Sequence, residues 1–174
     1  FSTMASAFFT IYVIKYFNAS EITVGYMTSL LFISTVISGL ILGWISDHIG
    51  RKFAMLISLA IMTVTAILAY FGNSLEVFYA VFILTGVING SFWSVFLSFS
   101  LEFGDNKTRP TYVGLVNTLI APSTLFAQLL GGYLADTMSY KTTFATAGIF
   151  GILTFFITLV FVNIPKKRKA LHPA

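Results

Sequence analysis

The sequence contains no cysteine and very little charge: ten Lys and Arg and six Asp and Glu in 174 residues, or 9%. Without cysteine there is neither a disulfide framework nor a thiolate metal site. The scarcity of charge decides more. Soluble proteins carry about 25% charged residues, whereas 57% of this chain is hydrophobic and its mean hydropathy is +0.90. A water-soluble fold cannot hide that much apolar surface, so the chain reads as an integral membrane segment. His48 and His172 stand alone, with no ligand partner at metal spacing. There is no nucleophile–base pair and no phosphate-binding glycine loop, and the many Phe and Tyr serve lipid contact and packing rather than a cofactor box. Neither an enzyme nor a bound cofactor or metal is expected. No basic n-region or small-residue cleavage site marks a signal peptide. The sequence begins at Phe1, already inside an apolar run, which reads as a fragment of a longer protein.

Uncharged runs occupy 1–14, 22–46, 53–71, 77–101, 111–135 and 142–165. A helical span needs about 20 apolar residues, so five are long enough and the first is short. The strands of a membrane barrel would alternate over about ten residues per pass, and no such alternation occurs. The expectation is an all-α membrane domain, 1–174, of six transmembrane helices.

The placement of Lys and Arg orients it. Arg51, Lys52, Lys107, Arg109, Lys166, Lys167, Arg168 and Lys169 fall on one set of connections, and only Lys15 and Lys141 on the other. The first set is expected in the cytoplasm, together with both termini. The basic tail 166–174 supplies most of the +4 net charge, which suits an anionic lipid surface rather than nucleic acid. Asn18-Ala19-Ser20 matches a glycosylation sequon but sits against the membrane, where a chance match is the simpler reading.

Between the second and third runs lies Gly43-Trp44-Ile45-Ser46-Asp47-His48-Ile49-Gly50-Arg51-Lys52, a polar hinge. Its Gly-x-x-x-Asp recurs 89 residues later: Gly43 falls on Gly132, Asp47 on Asp136 and Lys52 on Lys141, and nine of 29 ungapped positions are identical. The repeat unit is three helices (about 1–72 and 76–165). Three is odd, so the second copy must be inverted, with Asp47 on the cytoplasmic face and Asp136 outside. Inverted three-helix repeats are a signature of secondary transporters.

The hinge resembles the loop motif of the major facilitator superfamily, Gly-x-x-x-Asp-x-x-Gly-Arg-Arg/Lys. Gly43, Asp47, Gly50, Arg51 and Lys52 match, and His48 departs where Arg is common. The resemblance covers the whole chain and implies one six-helix half of a transporter. Arg109 to Leu115 and Leu130 to Asp136 look like the fifth span of C-terminal halves. The Gly-Pro pair of antiporter N-terminal halves is absent from helix 5, where Pro122 follows Ala121. The favoured reading is the C-terminal half, in a bacterial inner membrane.

The resemblance also implies roles. The hinge motif latches one half against the other; the alternative is a solvated positive-inside loop. Glu102 or Asp105 could pair with Arg51, and Arg109 with Asp47, in a charge relay whose alternative is mere solubility. Gly39 and Gly43 share a face that admits a close neighbour. In the resembled family the first and fourth helices of each half line the central cavity, which makes Tyr12, Asn89 and Trp93 the first candidates for substrate contact. Asn117 and Gln128 on helix 5 follow. Polar groups inside a membrane face protein or water, so the alternative for each is interhelical hydrogen bonding without a substrate. No Asp, Glu, Arg or His lies at mid-membrane depth, so this half lacks a proton carrier of its own or belongs to a uniporter. The expected function is transport of a small solute by alternating access, with the lipid bilayer and the other half as partners. The competing reading is a non-catalytic six-helix assembly module that self-associates.

Overall fold

A computed structural model describes residues 2–100 and 109–161, with backbone alone at 2–4, 93, 95–100, 109, 110, 112, 113 and 116. Six helices follow one another: α1 Ser2–Phe17, α2 Glu21–His48, α3 Arg51–Phe71, α4 Leu75–Ser100, α5 Arg109–Thr137 and α6 Tyr140–Phe161. No strand occurs among the described residues. Five of the six contain a stretch long and apolar enough to cross a membrane, and α1 is a shorter apolar helix. The expected tail, 166–174, lies outside the described residues, as do Glu102 and Asp105.

Local chemistry sets the boundaries. Ser20 caps α2: its Oγ accepts from the Thr23 amide at 3.3 Å and lies 3.0 Å from the Thr23 hydroxyl. Ser139 does the same for α6 with Thr142, at 3.2 and 3.0 Å. Such caps satisfy amides that a helix start leaves free. Between α1 and α2, Asn18 takes φ 49°, a left-handed conformation that its short polar side chain tolerates. Helix α5 continues through Pro122, whose missing N–H leaves the Thr118 carbonyl without its usual partner.

The bundle is held by close packing of small side chains rather than by segregating apolar from polar faces. Helix α4 lies along α2 and also touches α3; α3 packs in turn against α6. At Gly86 an added Cβ would overlap the Leu31 carbonyl, and at Gly90 it would overlap the Thr35 carbonyl and the Ser38 hydroxyl. Ser94 completes the stripe, donating to the Gly39 carbonyl at 2.7 Å. The expected close face of Gly39 and Gly43 is therefore real, and both glycines abut Ser94. On the other side, Gly148 and Gly151 of α6 meet Ala66 and Thr63 of α3. In membranes such approaches replace the hydrophobic drive that lipid does not supply.

The largest buried side chains, Phe78, Phe144, Met27, Val13 and Val81, gather around α1, α4 and α6. Only 11% of the apolar stretch is buried in α2 and in α5, against 39% in α4. Helix α4 is thus central, while α2 and α5 present long apolar faces outward. Pairing between helices follows a pattern: α1 packs on α5 as α4 packs on α2, and α1 on α6 as α4 on α3.

Candidate functional site

The hinge is built from two helix ends. Helix α2 closes with the Ile49 and Gly50 amides both donating to the Ile45 carbonyl, at 2.9 and 3.1 Å. Gly50 then turns the chain with φ 139°, a conformation that a side chain would strain. The Gly50 carbonyl accepts from Ala54 at 3.2 Å as α3 begins. Eighty-nine residues on, the bonds repeat: Met138 and Ser139 donate to Leu134 at 3.0 and 3.1 Å, and Thr143 donates to Ser139 at 3.3 Å. Asp47 and Asp136 each stand one residue before the end of their helix.

This geometry places charge against the backbone dipoles. Asp47 sits in the last turn of α2, where carbonyls concentrate negative potential; Arg51 and Lys52 open α3, where amides concentrate positive potential. Each misplaced charge costs about 0.3–1 kcal/mol. Lys52 escapes by reaching across the bundle to donate to the Leu159 carbonyl in the last turn of α6, at 2.9 Å. Its repeat counterpart does likewise: Lys141, in the first turn of α6, donates to Asn73 Oδ1 just beyond the end of α3, at 2.9 Å. The antiparallel α3–α6 pair is therefore clasped at both ends. Asp47 is exposed and forms no hydrogen bond or ion pair among the described residues. His48, at the position that departs from the family pattern, stacks on Trp44 with ring centres 4.7 Å apart. Its Nδ1 lies 3.0 Å from the Trp44 carbonyl oxygen.

Of the candidates at membrane depth, Tyr12 and Asn89 sit in different surroundings. Tyr12 is 4% exposed and stacks on Tyr16 at 4.5 Å, with Phe17, Phe78, Tyr140 and Phe144 within 6 Å of its ring centre. A solute reaches it only if that cluster repacks. Lys15 lies over the Tyr140 ring at 5.5 Å, at the edge of the same cluster. Asn89 is exposed and lines a cavity of about 30 Å³ that Tyr12 does not reach. Trp93 follows one turn later on α4, where only its backbone is described, as is that of Arg109 at the start of α5. The pairings expected of Glu102, Asp105 and Arg109 thus lie outside the described side chains. Asn117 and Gln128 are both exposed on α5. They are eleven residues apart, three helical turns, and so share one stripe with Ala121 and Thr124. Gly132 brings α5 to α1, where an added Cβ would lie 3.8 Å from Phe8.

Sequence reasoning missed the lysine clasps and the α4 stripe of Gly86, Gly90 and Ser94. The spacing of four in that stripe was visible, but nothing in one dimension says which helix faces it.

Taken together, these features define a polytopic α-helical membrane domain with a charged hinge and its structural echo. The chain belongs to the Major Facilitator Superfamily, whose sequence model matches residues 1–174. It is similar to multidrug resistance protein 1 of Bacillus subtilis, 25% identical over 151 residues, covering 87% of this chain and 39% of that protein. It is 30% identical over 147 residues to the class H tetracycline resistance protein of Pasteurella multocida, covering 84% and 36%. The quinolone resistance protein NorA of Staphylococcus aureus matches at 22% over 125 residues, covering 72% and 32%. The chain thus spans less than two fifths of the length of these relatives.

Proposed function

We propose that this chain is one half of a secondary transporter that exports a small solute by alternating access. The observation that carries the reading is the hinge: its family motif sits at a helix end whose hydrogen bonds recur 89 residues away. On this reading the domain consists of two inverted repeats, about 1–72 and 76–165. The two lysine clasps support it, because each joins the start of α3 or α6 to the end of the other. The end that carries Arg51 and Lys52 faces the cytoplasm of a bacterial inner membrane, as do both termini. The second half covers the bare faces of α2 and α5, and the chain is the C-terminal half. Asp47 latches onto that partner, and Asn89, Asn117 and Gln128 face the solute path. The relatives' names, which speak of tetracycline, quinolones and many drugs, point to ring-bearing solutes with hydrogen-bonding groups.

The test is transport by membrane vesicles holding both halves, with tetracycline, a quinolone and a purine ribonucleoside as probes. Net movement of at least one against its gradient is expected, and movement of none overturns the reading. The latch is tested separately, using the absence of native cysteine from this chain. Asp47→Asn is expected to raise labelling of an Asn117→Cys reporter by an impermeant maleimide from the cytoplasmic side. Unchanged labelling removes Asp47 from that role.

A further inference from the structure

The hinge carries one titratable ring that the latch reading does not use. His48 stands where Arg is common in the family pattern, so a side chain that changes charge between about pH 5 and 8 replaces a permanent cation. Its ring lies nearly parallel to that of Trp44, at 24° with centres 4.7 Å apart. Its Nδ1 is 3.0 Å from the Trp44 carbonyl oxygen. A carbonyl only accepts, so Nδ1 holds a proton in both charge states of a ring bound in this way. The lone pair of the neutral ring is then on Nε2, and a second proton is taken up there without breaking either contact. The cation so formed rests on the indole face, which attracts it. It also lies in the last turn of α2, where carbonyls concentrate negative potential.

The charges around His48 are few. Asp47 precedes it, and Arg51 and Lys52 open α3 just beyond the turn, with Lys52 spent on the Leu159 carbonyl of α6. Helices α1 and α4 also pack on α2. Their described charged side chains, Lys15 in the last turn of α1 and Glu76 in the first turn of α4, lie at the opposite end of the bundle. Leu40, Ile41, Trp44, Asp47 and His48 are all exposed, on the side of α2 away from buried Ser38, Leu42 and Ser46. Whatever meets Asp47 therefore meets His48 as well. We propose that His48 is a proton-operated clamp on the end of α2. Protonated, it holds the Asp47 turn against Trp44 and restores the cation of the family pattern; neutral, it leaves that turn looser. The clamp stands on the ring geometry, and its effect on access rests on the latch reading above. Acid then favours the latch, and the gain is lost as pH rises through the imidazole range.

The test uses vesicles holding both halves, with Trp93→Phe leaving Trp44 as the sole tryptophan of this chain. An imidazolium in ring contact quenches indole emission more than a neutral imidazole does. Trp44 emission, relative to the same chain carrying His48→Gln, is expected to fall as pH drops from about 8 to about 5. A ratio independent of pH overturns the clamp. For access, the Asn117→Cys reporter is labelled from the cytoplasmic side, and each rate is divided by that of His48→Gln at the same pH, which cancels the titration of the reporter thiol. This second ratio is expected to fall as pH falls, and in His48→Arg to stay low at every pH. A flat ratio where Asp47→Asn does change labelling overturns the link between clamp and latch. Where Asp47→Asn changes nothing, the latch reading fails, and the emission measurement alone decides the clamp.

Discussion

Replacing Gly90 by alanine puts one methyl group into the tightest seam of the bundle. The new Cβ would overlap both the Thr35 carbonyl and the Ser38 hydroxyl and lie 2.8 Å from the Gly39 amide nitrogen. Two of the three are backbone atoms of α2, so no rotamer change relieves the contact, and the helices must part. Parting weakens the Ser94 bond to Gly39 at 2.7 Å and the Ser38 bond to Gly86 at 3.4 Å. Overpacking of this kind costs about 1–3 kcal/mol, and alanine returns up to about 1 kcal/mol as the better helix former. At roughly 2–4 °C per kcal/mol for a chain of this size, the net change is a fall of several degrees in the thermal midpoint. It is measured by tryptophan fluorescence in micelles. Gly25→Ala and Gly114→Ala supply the baseline, because an added Cβ there has no neighbour within 4 Å. Both should match the native chain or exceed it. A Gly90→Ala midpoint inside that baseline would refute the claim that α2 and α4 are seated by backbone contact.

Lys52→Met removes the α3–α6 clasp at the hinge end, and Lys141→Met removes the one at the far end. Each should cost no more than about 1 kcal/mol but speed amide exchange locally, at 157–161 for Lys52→Met and at 69–73 for Lys141→Met. Tyr12→Phe should leave stability within about 1 kcal/mol, while Tyr12→Ala should lose about 3–5 kcal/mol, measured by chemical denaturation. Similar stability for the two variants would return Tyr12 from the aromatic core to the solute path.

The spans were legible because hydrocarbon thickness demands about 20 consecutive apolar residues, and the five long runs became α2 to α6 within a few residues at most boundaries. The hinge was legible because Gly50 must adopt φ 139° and charges cannot lie in the bilayer. Which face of each helix turns inward was not legible. Lipid is as apolar as a leucine-lined core, so exposed Leu40 and buried Leu42 read alike in sequence. Tyr12 illustrates the same limit. Its spacing from Tyr16 was visible, but the rings from α4 and α6 that enclose it come from residues 78, 140 and 144. Lys52 was expected only as part of the cytoplasmic hinge motif, whereas its partner is a carbonyl 107 residues away. A helix end can satisfy a cation as well as an acid can, and no residue type announces it.

The hinge combines two kinds of charge with opposite fates. Lys52 and Lys141 are consumed inside the domain, each closing one end of the α3–α6 pair. Together with the glycine seam between α2 and α4, they tie the described helices to one another. Asp47 and Asp136 are exposed and sit where their own helix dipoles oppose them. Among the described residues neither carboxylate has a partner, which leaves Asp47 available for the latch proposed above. Rocking between two halves needs rigid bodies and a breakable contact between them. On the proposed reading the lysines serve the first requirement and the aspartates the second. Exchanging these roles tests the division: Lys52→Met should loosen α6 without altering Asn117→Cys labelling, and Asp47→Asn should alter labelling without loosening α6.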